Sequence, residues 1–400
     1  MPGPGAFLVG EEERREVEEI LESGYLSRYG SLENPNFKRK VATLEEQFAK
    51  IVGVKHCLAL NGGTSAIMAS LAALKIKPGA EIIMPGYTYI ATMSAVIAVG
   101  GKPVLAEIDE SLTLDPADVE KKITSKTQGI IPVHMLGNPC DMDRIMRMAR
   151  ENQLFVLEDG CQALGARYKR RSVGSFGDMG AFSLNINKTI TAGDGGLATT
   201  NSRSLYERAF GFHDQGHIPS LLGVEFGTRT VMGINLKLNE LTGAFAIGQL
   251  NKLDKILQTL KAKKTRFKNA LMAGDIQNME FRRINDPDEC HTILTVLFAD
   301  AATAQRVAKA LDTITVFDSG WHVYNNMEHL LAYMDSEGNQ PYRKHMLPQT
   351  DDILKRAVNL SVGVVDAGIG ASFGINILST EEEIDKKAAE FVKIAKEVAG

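Results

Sequence analysis

The stretch Phe182–Gly196 reads FSLNINKTITAGDGG and holds a single lysine, Lys188, ahead of a glycine-rich turn. A lysine in uncharged surroundings gives up its proton at low cost and becomes a nucleophile toward carbonyls. Upstream, LFVLEDGCQALG (Leu154 to Gly165) puts Glu158 and Asp159 at the C-terminal end of an apolar run. If that run is a buried strand, its end faces the crevice where α/β folds bind ligands, and a carboxylate there can pair with a cationic ligand atom. Earlier still, NGGTSAI (Asn61 to Ile67) joins a strand to a helix. Small residues let the N–H groups of a helix start approach an anion, and Thr64 and Ser65 add hydroxyls. Taken singly, the three have plain structural readings: a surface lysine, a helix cap and a capped turn.

Their order is more informative than any one of them. An anion cradle comes first, then a buried aspartate, then the lysine. A lysine for a Schiff base, a carboxylate for a pyridinium nitrogen and a site for a phosphate are the parts that pyridoxal 5'-phosphate needs.

These groups need a scaffold. Residues 10–23 have a helical apolar stripe with Val17, Ile20 and Leu21 on one face, ended by Gly24. Tyr25 to Lys40 is polar and irregular, a long loop. From Thr43 onward helices alternate with short apolar strands at 56–60, 81–84, 102–105, 129–133 and 154–157, and two more strands flank the lysine turn at 180–184 and 196–200. Apolar strands alternating with helices predict a mostly parallel α/β sheet, buried on both faces. One long helix is expected from Asn239 to about Leu260. The chain is expected to divide into a large cofactor-binding domain over 1–255 and a smaller α/β C-terminal domain over 256–400, a length typical of two domains.

Composition sets outer limits. The chain has 400 residues, 44% hydrophobic and 24% charged, which suits a folded protein and not a disordered one. Its formal net charge of −4 gives no general pull toward nucleic acid or an anionic membrane. The basic run Arg167–Arg171 reads as a solvated turn. The opening MPGPGAFLVGEEERREVEEI lacks a basic start followed by an apolar core, so no secretory leader is expected. The longest uncharged stretch, Ile82 to Gly101, is broken by Pro85 and Gly86 and reads as strand, turn and helix, not as a membrane span. The four cysteines show no CxxC spacing, so neither a metal site nor a disulfide framework is expected, and a cytoplasmic location fits.

The ensemble of motifs resembles the DegT/DnrJ/EryC1/StrS family of pyridoxal-phosphate sugar aminotransferases. The chain shows, in that family's order, NGGTSAI, PGYTYIAT, PVHMLGNPCDM, EDGCQALG, FSLNINKTITAGDGG and GINLKLNELTGAFAIGQL. Asp194 stands where the family usually has Glu, Lys237 where Arg is common, and Gly62 where Ser is frequent. The resemblance implies a type I aminotransferase-like fold and a homodimer with shared active sites. It implies that Lys188 binds the cofactor covalently, Asp159 faces the pyridine nitrogen and Gln162 bonds the phenolic oxygen. Tyr89 would cover the ring, Gly63, Thr64 and Ser183 would hold the phosphate, and Asn235 would reach the phosphate of the neighbouring subunit.

MPG, SGYLSRYG, DESLTLDP, HDQGHIPSLLGVEFG and WHVYNNMEHLL are similar to the 8-amino-3,8-dideoxy-octulosonate transaminase branch, with Asn326 where that branch tends to have a bulky aromatic. That likeness implies glutamate as amino donor and an 8-oxo octulosonic acid as acceptor. His322, Tyr324 and His329 would then form a wall over the sugar. Arg28 or Lys38 would meet its carboxylate. The rival readings on the same scaffold are a sugar dehydratase or isomerase and an amino-ring synthase. Dehydrating members carry His in place of the lysine, and Lys188 argues against them.

Overall fold

The computed structural model describes residues 2–219, 229, 231–335 and 337–399. The HDQGHIPSLLGVEFG segment therefore lies partly outside the described residues.

Seven strands form the main sheet: β1 (His56–Leu60), β2 (Glu81–Pro85), β3 (Lys102–Ala106), β4 (Thr127–Ile130), β5 (Phe155–Asp159), β6 (Met179–Ser183) and β7 (Gly196–Thr200). Their order across the sheet is β1-β7-β6-β5-β4-β2-β3. All neighbouring pairs are parallel except those made by β7, which runs antiparallel to both β1 and β6. The expected mostly parallel sheet is present. The strands are apolar runs because helices cover both faces.

Two helices bear on the site. Gly63–Ala73 follows β1, and its small residues Ala66, Ala69 and Ala73 are buried against the sheet. Ile90–Ala98 follows β2, with Tyr89 in extended conformation before its first turn. Both start at the carboxyl edge of the sheet, because a strand-to-helix crossover returns the chain from that edge.

A second sheet of three antiparallel strands, β8 (Met279–Phe281), β9 (Ile293–Phe298) and β10 (Ala357–Ser361), forms the smaller domain. The helices Leu253–Ala273 and Glu381–Ala399 pack against each other beside it. The expected boundary at 255/256 falls in the first turn of helix Leu253–Ala273. The single helix expected from Asn239 is two helices, Glu240–Leu250 and Leu253–Ala273. The chain turns at Asn251–Lys252, where the Lys252 ammonium reaches back to the Leu8 carbonyl and to Glu13. Apolar periodicity continues through such a break, so sequence pattern alone does not show it. Among the described residues no helix is long and apolar enough to cross a membrane.

Candidate active site

The register of β7 brings the three sequence signals together. Gly196 pairs with Leu60 on one side and with Ser183 on the other. The start of helix Gly63–Ala73 is thereby laid beside Ser183. A Cβ on Gly196 would stand 2.1 Å from the Gly62 carbonyl, and one on Gly63 would stand 2.8 Å from the Ser183 Cβ. Glycine at both positions is what lets the backbones approach. β5 lies next to β6 with Asp159 opposite Ala181, so Asp159 emerges at the same edge.

That edge opens into a cavity of about 300 Å³. Gly63, Thr64, Tyr89, Asp159, Gln162, Ser183 and Lys188 all line it. His322, from the smaller domain, lines it too. Its segment is stitched to the large domain by hydrogen bonds from Thr88 N–H to the His322 carbonyl (2.9 Å) and from Ile90 N–H to the Trp321 carbonyl (3.1 Å).

Each polar group at the site has a defined orientation. Asp159 Oδ2 accepts from the Thr92 hydroxyl at 2.8 Å and Oδ1 from the Cys161 N–H at 3.0 Å. Thr88 and Thr92 hydroxyls are 2.9 Å apart, Thr88 just before and Thr92 within the first turn of helix Ile90–Ala98. Gln162 Oε1 accepts from the Leu136 N–H at 3.0 Å, which leaves its NH2 as a donor toward the cavity. His322 Nδ1 lies 3.3 Å from the Ser319 hydroxyl, which itself donates to the Gly368 carbonyl. The imidazole proton therefore sits on Nδ1, and Nε2 is an acceptor. Burial, reinforced by the nearby Lys188 charge, pushes the His322 pKa down to about 3.

Glu158 does not share the site. Successive strand residues point to opposite faces, and its carboxylate accepts the N–H groups of Gly174 (2.8 Å), Phe176 (2.6 Å) and Gly177 (2.8 Å). His134 Nε2 lies 3.3 Å from it, while His134 Nδ1 accepts from the Cys140 N–H. This pair orders the loop after β5 and not a ligand.

Four residues offered for substrate sit elsewhere. Arg28 is buried, paired with Glu45 at 2.9 Å, donating to the Ala59 carbonyl and to His213 Nε2. Tyr324 is fully buried, with its hydroxyl donating to Asp351 and accepting from the Leu347 N–H. His329 is exposed and faces the Trp321 ring at 6.4 Å. A helical or loop spacing cannot tell which side of the segment meets the cavity, and here only His322 does. Lys38 lies at the surface, 4.0 Å from Glu19. Asn235 is exposed and does not line its own chain's cavity. Among the cavity-wall residues that sequence reasoning passed over are Thr92, Cys161, Asn185 and Asp366. Thr92 had a signal, its place four residues after Thr88 in the PGYTYIAT motif.

The residues present fit pyridoxal 5'-phosphate: a helix start with close-packed glycines and Ser183 for the phosphate, a doubly hydrogen-bonded carboxylate, an amide donor and one lysine in a single cavity. The model of the DegT/DnrJ/EryC1/StrS aminotransferase family matches residues 8–365. The chain belongs to that family. Among its relatives, a GDP-perosamine synthase of Escherichia coli O157:H7 is 37% identical over 244 residues, 61% of this chain and 64% of the relative. An L-glutamine:2-deoxy-scyllo-inosose aminotransferase of Micromonospora echinospora is 34% identical over 284 residues, 69% of this chain and 65% of the relative. The matched regions thus span somewhat less than two thirds of those relatives. An aminotransferase of Psychrobacter cryohalolentis superposes over 100% of both chains with a TM-score of 0.82 at 25% identity. Family and fold agree with the type I aminotransferase-like architecture.

Proposed function

We propose that this chain is a pyridoxal-phosphate-dependent aminotransferase that moves an amino group from glutamate or glutamine to a keto or aldehyde sugar. The observation that carries the reading is the meeting of Lys188, Asp159, Gln162 and the Gly63–Thr64 helix start in one cavity. Bound there, the cofactor supplies a ring that draws electrons from the carbon beside the transferred nitrogen.

The residues take the following parts in this proposal. Lys188 Nζ would hold the cofactor covalently and, once released, would take the proton from the donor's Cα and deliver it to the cofactor carbon that had carried the lysine nitrogen. Asp159, fixed by Thr92 and the Cys161 N–H, holds a proton on the pyridine nitrogen. The Gln162 NH2 donates to the phenolic oxygen. Gly63, Thr64 and Ser183 bind the phosphate, and Tyr89 covers the ring face. The working unit is a homodimer with shared sites. Asn235 is exposed outside its own cavity, next to Ile234 and to Met232, which is 94% exposed, and it would reach the partner's phosphate.

Within the sugar class the proposed acceptor is an 8-oxo-3,8-dideoxy-octulosonate, with His322 against its hydroxyls. Its carboxylate would be met by a residue other than Arg28, whose guanidinium is engaged inside the large domain. Loading the protein with cofactor should give a visible band that glutamate bleaches. Release of 2-oxoglutarate against a panel of keto- and aldehyde-sugars then identifies the acceptor. A protein that forms the band but bleaches with no amino donor would overturn the reading.

A further inference from the structure

The turn that carries Lys188, between β6 and β7, has no helix or strand of its own to fix it. From above, the Ala192 N–H and the Thr191 hydroxyl bond the Leu184 carbonyl at 2.8 and 3.0 Å. From below it rests on the segment Pro2–Gly10. The Gly3 N–H donates to the Ile186 carbonyl at 2.9 Å. A Cβ on Gly3 would stand 2.5 Å from the Lys188 carbonyl oxygen and 2.6 Å from the Asn187 carbonyl carbon. One on Gly5 would stand 2.3 Å from Gln249 Oε1 and 2.8 Å from the Ile190 Cα. The two glycines let this segment lie against the backbone of the lysine turn.

Gln249, fully buried on helix Glu240–Leu250, ties the two together. Its Oε1 accepts the Thr191 N–H at 3.2 Å. Its NH2 donates to the Gly5 carbonyl at 3.0 Å and to Glu13 Oε1 at 2.8 Å. Glu13, 1% exposed, accepts further from the Gly10 N–H and from Lys252 Nζ, both at 2.7 Å. Lys252 Nζ also donates to the Leu8 carbonyl at 2.7 Å. One side-chain amide thus spends one donor on the segment, the other on Glu13, which itself holds the Gly10 N–H, and its acceptor on the turn. Buried amides with every group matched are rigid, and their loss leaves unpaired polar groups behind.

We infer that Pro2–Gly10 is a strap that sets the position of the Lys188 turn, and that Gln249 is the positioning residue linking strap to turn. Neither touches the cavity, since no residue of the strap and no atom of Gln249 lines it. The strap acts through the backbone of residues 186–191. The inference uses the proposed role of Lys188 only for its spectral consequence.

The test uses two variants of the full chain. Gln249→Leu removes the link. Gly3→Ala leaves the core intact and forces the strap away from the Lys188 carbonyl. In cofactor-free protein, amide hydrogen exchange over residues 186–191 should speed up about tenfold in both, the scale of one lost buried hydrogen bond, while residues 155–159 and 196–200 stay as slow as in the parent. In protein loaded with pyridoxal phosphate, the pH midpoint of the visible band should shift in both, because the lysine nitrogen is held in a different place. Unchanged exchange over 186–191 in Gly3→Ala, or equal acceleration through β5 and β7, overturns the inference. A shift of exchange without any visible band in the parent would support the strap while removing the cofactor reading of Lys188.

Discussion

The Thr92 hydroxyl donates to Asp159 Oδ2 at 2.8 Å across the gap between the helix after β2 and the end of β5. With the Cys161 N–H on the other oxygen, the plane of the carboxylate is fixed before any ligand arrives. Groups that need no reorganisation when charge develops are the ones that accelerate reactions most. The Asp159→Asn variant should therefore keep its affinity for the cofactor and lose at least about a hundredfold in both half-reactions. Thr92→Val should lose about tenfold, the share of a single hydrogen bond to a charged group. Single-turnover absorbance with glutamate measures both. Near-normal rates in Asp159→Asn would reduce the aspartate to a structural role.

Lys188→Ala should abolish transamination and leave the fold and its thermal midpoint nearly unchanged, because the side chain faces the cavity and not the core. Borohydride reduction of the loaded parent followed by peptide mapping should find the cofactor on Lys188. A label on any other lysine contradicts the assignment.

Mixed dimers test whether sites are shared. Lys188→Ala and Asn235→Ala subunits are each expected to be poorly active alone. Mixed, they should recover part of the activity, since one of the two hybrid sites regains both residues. Absence of recovery, once subunit exchange is verified by mass spectrometry, places Asn235 outside the site.

Arg28→Ala is expected to act on stability. It would leave Glu45 buried and without its cation, and breaking a buried pair on one side costs about 3–5 kcal/mol. Urea unfolding reads this directly. A variant of parental stability with a raised sugar KM would instead return Arg28 to the substrate.

Acid should weaken the fold through buried neutral imidazoles. His322 is pushed down to about 3 by burial and the Lys188 charge, His213 to about 3 by burial and Arg28, and His291 to about 4 by burial. In the unfolded chain each titrates near its ordinary value of about 6.5. The unfolded state thus binds more protons below that value, so their contribution is complete above about pH 6.5 and shrinks as the pH falls toward 3–4. His322→Gln should flatten the decline in urea midpoint between pH 7 and pH 5. An identical slope in parent and variant would mean that His322 ionises freely.

Much of this molecule could be read from the chain. Strands at 56–60, 81–84, 154–157 and 196–200 announce themselves as short apolar runs between turns, and the order of NGGTSAI, EDGCQALG and the lysine turn points to one cofactor. Local chemistry suffices there, because a glycine turn or a buried strand end is specified by its own residues. Elsewhere local chemistry was ambiguous. In EDGCQALG, both carboxylates end the same strand, and only the alternation of faces in the folded sheet sends Asp159 to the cavity and Glu158 to the backbone of residues 174–177.

What the sequence determined by itself is the mostly parallel α/β scaffold and three candidate groups, the anion cradle at Asn61–Ile67, the strand-end carboxylates and Lys188, since these follow from residue types and short-range periodicity. What only the tertiary structure decided is which polar side chains are free. Arg28, Tyr324 and Gln249 look from the chain like any surface arginine, aromatic or amide. Their partners, Glu45 and His213, Asp351, and Thr191 with Gly5 and Glu13, are supplied by distant segments of the chain. Burial makes an unpaired polar group costly, so each of these side chains is spent on its long-range partner. No local pattern records that contact.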